Sequence, residues 1–503
     1  MLGLELFDGR GRLDVDADTS IQFEQNFNLH DFEHVEGTKS WRFKLPKTAN
    51  NLRLTGWVNL PELRSSFENN FKIRVNLAGT LWKVGLLYFI DDADAHWNVH
   101  FAGEAGLLKK LIGDLKLTDI DYPLTTGIND MHAHALATTT ASIGTYDHVF
   151  VPIELDAWAD QNPAATARGI NVLDVDTLYN FNGFATTAFN HPVPMVPFPF
   201  VISVLKHIAN ALGFRVGGDI ITDTEMQRLL FFNVKPLNDL AANSLPTSTI
   251  ATEIDLANHL PETKISEFLV EFCKLFNQTI LYDDANNALN FKHRPSILKE
   301  PVVGDLRYKA TDLQMLYNER RTYNLAYEIS KADLARFPDD PASSMRDMVG
   351  IDDVAGSTDV VSKIGVVPNF ETPYTSLILN AETPLQLFFY RGYIQNWFSL
   401  TGDDLPAALG NLNYTPGTGL IKDRYSLTWR GEGNLYDTWW RSFFESLKLA
   451  RVVRLHLLLS NFDVLSFRSD RVYALLDFIG LFEELKINFN GERMMVECQF
   501  LKL

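Results

Sequence analysis

Apolar and polar residues alternate along several separate stretches of the chain and recur at helical spacing in two others. Phe71, Ile73, Val75 and Leu77 fall on one side of an extended segment, and Trp97, Val99 and Phe101 on one side of another. That period of two is what a half-buried strand requires. Ala78-Gly79-Thr80 supplies a turn between paired strands and Asp91–Ala95 a second one. Leu107, Leu108, Leu111 and Ile112 then predict a short helix before Tyr122. The opening 122 residues read as a β domain carrying one helix.

The period changes further on. HPVPMVPFPF (His191–Phe200) holds four prolines, which fix φ and remove backbone donors, so this stretch is an extended connector. Directly after it Val201, Val204, Leu205, Ile208 and Leu212 predict a helix closed by Gly213, with a short strand at Phe214–Val216. Ile265, Phe268, Leu269, Phe272 and Phe276 form a second apolar stripe, with Thr263 as its candidate cap and Asn277 at its end. Thr279–Tyr282 and Leu289–His293 predict a hairpin, so residues 201–300 form one α/β module. Residues 331–370 carry Pro338, Pro341, Gly350 and Gly356 and read as a long irregular excursion. Strand-like TPLQLFFYRG (Thr383–Gly392) and YSLTWRGEGNLYDTWW (Tyr425–Trp440) follow. A helix over Leu435–Leu449 and strands at Val452–Leu459, Arg471–Ala474 and Met494–Leu501 complete the chain. No fixed-period repeat stands out.

At 503 residues, 46% of them hydrophobic, the chain is long enough for about three domains with full cores. Its formal charge of −18 comes from 63 acidic and 45 basic residues, and no basic cluster offers a face for phosphates, which excludes sequence-specific nucleic-acid binding. Dispersed acidity suits a passage through which a polyanion slides, and equally keeps a large assembly protein soluble. Two cysteines, Cys273 and Cys498, give no disulfide framework and read as buried apolar residues. The acidic N-terminal stretch lacks the pattern of a signal peptide, and LWKVGLLYFI is interrupted by Lys83, too short and too charged for a membrane helix. Synthesis in the cytoplasm and no stable membrane association are expected.

Several fragments resemble catalytic or metal sites. HDFEH (His30–His34) matches the inverted zinc-protease spacing, but its flanks are not those of the helix that would align the two histidines. His132 and His134 share one face if DMHAHAL is a strand, a two-ligand arrangement with no third ligand in view. Asp14, Asp16 and Asp18 start like a calcium loop, yet Thr19 and Gln25 stand where glycine and a bidentate glutamate belong, leaving an acidic turn. The doublets Asp91/Asp92, Asp283/Asp284 and Asp403/Asp404 lie at turns, and neighbours on a strand point apart, so no doublet alone makes a glycosidase pair. No phosphate loop, nucleophile elbow or dinucleotide glycine pattern occurs. Accordingly no catalytic, cofactor-binding or metal-ligating residue is expected, and no cofactor.

Phe43, Leu45, Pro46, Thr48 and Asn50, then a hairpin crossing a glycine, a short helix and the ending Leu117, Asp119, Ile120, Asp121 form an ordered series. With the later TPLQLFFYRG and LTWRGEGNLYDTWW blocks, this series resembles the baseplate or tail-tip hub proteins of tailed bacteriophages, especially those of phages and prophages of Bacteroidetes-type hosts. The resemblance implies an α+β, β-rich multidomain chain with two tube-type β domains and smaller α/β modules, assembling as a ring. Residues 1–122 would be the first tube-type domain and 123–200 a β and loop-rich insert. Residues 201–305 would be the α/β domain, and 306–503 the second tube-type domain. It further implies a homotrimer in the virion tail, adapting a sixfold tube to a threefold tip and lining the path of genome ejection. Partners would be the tail tube or distal tail protein, the tape-measure protein, and tip, spike or fibre proteins, with DNA passing transiently. The end at Leu503, without a lysozyme-like or fibre extension, favours a pure adaptor. Two other classes stay open: a receptor- or carbohydrate-binding tail protein, whose sugars would stack on Trp and Tyr, and a cell-wall glycan hydrolase.

Overall fold

Strands from the first hundred residues and from the last two hundred meet in one sheet. The computed structural model describes residues 2–16, 19–27, 32, 38–56, 70–151, 153–154, 169–171, 173–175, 178–180, 195–240, 246–283, 286–316, 320–327, 345–349, 354–366, 385–394, 405–409, 414–415, 419–420, 425–427, 429, 433–448, 450–489 and 493–503. Eight N-terminal strands of the sheet are β1 (Leu2–Leu6), β2 (Arg12–Leu13), β3 (Ile21–Asn26), β4 (Thr38–Ser40), β5 (Phe43–Pro46), β6 (Asn70–Leu77), β7 (Thr80–Asp92) and β8 (His96–Ala102). Six come from the C-terminal part: β9 (Val302–Asp305), β10 (Ala310–Leu316), β11 (Arg451–Ser460), β12 (Val472–Leu475), β13 (Phe478–Phe489) and β14 (Arg493–Lys502). Along the sheet they run β2-β1-β6-β7-β8-β4-β3-β13-β14-β11-β10, with β5 also on β8, β12 on β13 and β9 on β12.

The period of two is the cause. Ile73, Val75 and Leu77 of β6 and Trp97, Val99 and Phe101 of β8 are buried, and their polar neighbours lie toward the other face. Ala78 and Gly79, at φ 50° and 86°, close the β6–β7 hairpin with the left-handed pair that matches strand twist.

Between these parts lies the α/β module. Helices α4 (Val201–Ala211) and α5 (Ile265–Leu275) bury the apolar stripes read from sequence, and Gly213 takes φ 79° just past α4. Strands Arg215–Gly218 and Gln278–Asp283 flank Ala288–His293, the first parallel to it and the second antiparallel. The proline-rich connector is buried over Met195–Phe200, where Phe198 and Pro199 pair with Val149 and His148. The whole is α+β and strand-rich, with several separate sheets.

Other expectations need correction. DMHAHAL is helical: α3 (Met131–Thr140) starts where the Asp130 carboxylate accepts the amides of His132 and Ala133. Thr263 does not cap α5, because the helix begins after Lys264 and the Thr263 hydroxyl is buried with no partner among the described residues. Part of 331–370 is regular, since Met345–Val349 and Val354–Ser362 flank Arg320–Tyr327 in a three-stranded sheet. Tyr436–Trp440 forms a π-helical turn leading into α6 (Arg441–Leu447), so the end of the segment read as strand is helix. Gln386–Ile394 pairs with Leu229–Phe231 of the middle region.

Candidate interface at the joint of two like units

Two parts of the large sheet are built alike. In the first, β5 leads through α1 (Ala49–Leu54) to the meander β6-β7-β8, and β5 returns to pair with β8. In the second, β11 leads through α7 (Asn461–Ser466) to β12-β13-β14, and β11 pairs with β14. All six of these pairings are antiparallel. Both helices have 6 residues and both are capped by a hydroxyl: Thr48 accepts from the Asn51 amide, and Ser460 from the Asp463 amide with Asp463 bonding back. Each meander opens on a two-residue turn with a positive φ at its first position, 50° at Ala78 and 42° at Leu476. Each carries a bulge between its last two strands, at Phe89/Asp91 and Phe482/Glu484. Each unit has a further antiparallel strand: β3 lies along β4, the segment that precedes the return strand β5, and β10 lies along the return strand β11.

The units are joined by β3. Its six residues pair antiparallel with β13, from Ile21 opposite Phe489 to Asn26 opposite Glu484. On the core face Phe23 meets Trp82, Phe101 and Phe489 at ring-centre separations of 5.1, 5.7 and 5.6 Å, so side chains of both units close over the joint. Burial of rings this size contributes about 1.5–3 kcal/mol apiece.

The opposite face carries a ladder in which four charges alternate in sign and a histidine ends the row. Lys39, Glu24, Lys486, Glu497 and His456 are successive cross-strand partners over β4, β3, β13, β14 and β11. Lys39 Nζ lies 3.1 Å from Glu24 Oε1, and Arg454 Nε 3.7 Å from Glu497. Burial alone would raise the Glu24 pKa, but hydrogen bonds from Asn26 and Lys39 and the charges of Lys39 and Lys486 outweigh it and hold the carboxyl below its ordinary value. Glu484 holds Lys486 above its ordinary value by a 2.8 Å contact. A slip of one residue would move this ladder onto the core face, so it specifies register. Glu483 sits in the β13 bulge beside the joint, its carbonyl accepting the Phe27 amide, and burial pushes its carboxyl up to about 7.

The residues singled out in the sequence do not converge. Of HDFEH only Phe32 is among the described residues, its ring 5.2 Å from Trp440 and under the Arg294 guanidinium. His132 and His134 diverge around α3, and His134 Nε2 meets His148 Nε2 at 3.0 Å. Burial and the nearby His134 push His148 down to about 3, and burial with the Lys235 charge pushes His259 down to about 4. Asp14 ties β2 to α1, accepting from Thr48 Oγ1 at 2.5 Å and Asn50 Nδ2 at 3.2 Å, while Asp18 lies outside the described residues. Asp91 accepts from Asn98 and Asp92 pairs with Lys47, Asp283 caps its own turn through Asn286, and Asp284, Asp403 and Asp404 lie outside the described residues. Cys273 and Cys498 are buried, and burial pushes the Cys273 thiol up to about 12. Among the described residues no group of three or more His, Cys, Asp or Glu is placed to hold a metal ion, and no helix is long and apolar enough to cross a membrane. The joint was missed because its signal, apolar faces and one opposed charge pair, Glu24 with Lys486, shared by strands far apart in the chain, is non-local.

No protein-family model and no curated protein matches the chain. Solved structures similar to it include the 43 kDa tail protein of prophage MuSo2 from Shewanella oneidensis, at 7% identity and TM-score 0.37 over 99% of this chain and 97% of that one. A tail protein from Neisseria meningitidis MC58 is similar at 7% identity and TM-score 0.36, over 99% and 95% of the two chains. The Francisella PdpA-VgrG complex is similar at 9% identity and TM-score 0.31, over 100% of this chain and 52% of that one.

Proposed function

We propose that the chain is a structural, non-catalytic component of a phage-type tail: a hub whose copies form a ring at the distal end of the tail tube. The observation that carries this reading is the internal repeat, two units of one connectivity set side by side in a single sheet and locked by β3. A chain that offers the same unit twice turns three copies into six like positions, which matches a sixfold tube above and a threefold tip below. Of the chain between the units, residues 103–301 would face the tip, where tip, spike or fibre proteins dock.

Aromatic content supports packing over sugar binding. Trp82, Trp97, Trp429, Trp439 and Trp440 are all buried, and among the described residues Trp41 alone of the exposed large hydrophobic residues is an indole. The excess of 63 acidic over 45 basic residues fits a lumen that DNA traverses without lodging. The test is to assemble particles with and without this protein. A hub requires that tubes lacking it stay open or fail to form. Closed tubes missing only a peripheral appendage, or turnover of cell-wall glycan by the purified chain, would replace the hub by a receptor-binding or hydrolytic role.

A further inference from the structure

Where the end of β4 meets the bulge of β7, the face that carries Lys39 holds a cavity of about 380 Å³ lined by Lys39, Ser40, Trp41, Arg42, Ile90 and His100. Ile90 is the extra residue of that bulge, between Phe89 opposite Val99 and Asp91 opposite Asn98. Lys39 and Ser40 end β4, and Trp41 and Arg42 lead on toward β5. The Trp41 amide donates to the Gln22 carbonyl of β3 at 2.9 Å, and the Ser40 hydroxyl accepts the Phe101 amide of β8 at 2.7 Å. Strands on both sides therefore fix the backbone from which Trp41 and Arg42 project.

The lining is rich in donors and partly apolar. Trp41 is 56% exposed, and Arg42 is exposed and makes no ion pair among the described residues. Lys39 makes its contact with Glu24 while its side chain stays 57% exposed. His100 stacks on Tyr88, the ring centres 5.0 Å apart and the planes 9° from parallel. Burial and the Arg42 charge hold this imidazole below its ordinary pKa, so it stays neutral near pH 7. Among the described residues none of the lining side chains is a carboxylate or carboxamide. The hydroxyls of a neutral sugar need such acceptors, and a nucleic-acid strand needs a row of cations, whereas Glu24 stands directly beyond Lys39.

We infer that this cavity docks an acidic-apolar segment of a partner polypeptide: a side-chain carboxylate seated on the Arg42 guanidinium within reach of Lys39, and the apolar side chain beside it over the Trp41 indole and Ile90. A guanidinium meets a carboxylate through two parallel hydrogen bonds, and an indole on a fixed backbone offers apolar area at little cost in entropy. Charge points the same way. In a chain of net charge −18, two exposed cations beside an exposed indole are a local exception, and they attract a carboxylate. The second unit has no equal of this site, because its bulge residue is Glu483, an acid shielded from water. Such a segment therefore tells the two like units apart. The inference concerns one face of the first unit and does not depend on the hub reading.

The test is fluorine NMR of the full chain labelled with fluorotryptophan, in which the Trp41 resonance is the one lost in Trp41→Phe. The probe is the peptide acetyl-Leu-Glu-Leu-amide, with acetyl-Leu-Gln-Leu-amide as its uncharged control. The expected result is a saturable shift of the Trp41 resonance with the Glu peptide, with affinity about tenfold lower for the Gln peptide and a similar loss in Arg42→Gln. Arg42 is exposed, so Arg42→Gln should unfold at the temperature of the parent, which separates a lost contact from a lost fold. No shift with either peptide, equal affinity for the two, or a parent-like response in Arg42→Gln overturns the inference. Tighter binding of acetate or of a short oligothymidylate than of the Glu peptide also overturns it, making the cavity a small-anion or single-strand site.

Discussion

Glu483 shows most plainly what a single side chain contributes to this fold. It occupies the bulge of β13, its Oε1 is shielded from water with no hydrogen-bond partner among the described residues, and burial raises its carboxyl to about 7. An acid with a raised folded pKa favours the native state while it is protonated. Its contribution is therefore complete below the unfolded value of about 4.5 and is lost as pH rises through 7, about 3 kcal/mol in all. Glu483→Gln should abolish that loss, leaving the variant more stable than the parent at pH 8 and nearly equal to it at pH 4.5 in urea unfolding. Equal pH slopes for the two proteins would show that the carboxyl is ionised in the fold. The buried imidazoles of His148 and His259 act in the opposite direction: their folded pKa values are depressed, so their contribution is full above about 6.5 and is lost as pH falls toward 3–4.

Among the elements, β3 and β13 carry the architecture. Glu24 faces Lys39 on one side and Lys486 on the other. Glu24→Lys would set three like charges in a row and should cost about 2 kcal/mol, and adding Lys486→Glu should recover about half of it, as read by a double-mutant cycle. Strict additivity of the two changes would mean that the ladder does not set the joint. How legible these elements were in the sequence follows from their range. Helices α4 and α5 were visible because a stripe such as Ile265, Phe268, Leu269 and Phe272 needs only local spacing, and β6 and β8 for the same reason at period two. β13 was hidden by Glu483, Glu484 and Lys486 in its middle, which face a bulge and a charged neighbour and break the alternation. The alanine-rich α3 gave two histidines at strand spacing and hid its cap, Asp130, in plain composition. The repeat was not legible at all: Leu45 and Leu457, or Thr48 and Ser460, hold matching places through pairing partners that are close in space and far apart in sequence.

At the scale of the molecule, the protein offers one β unit twice, the two joined through β3 in a single sheet. The non-local pairing that makes this possible also makes slow folding expected, because β3 must wait for β13, more than 450 residues later, before the joint can form. Ring symmetry is the most direct measurement of the central claim, and reconstruction of the assembled protein by electron microscopy supplies it. The account predicts three copies, six like β units evenly spaced around one axis and a lumen with acidic residues in excess. A monomer, a twofold dimer, or an assembly in which the two units of each chain take unrelated positions would contradict it.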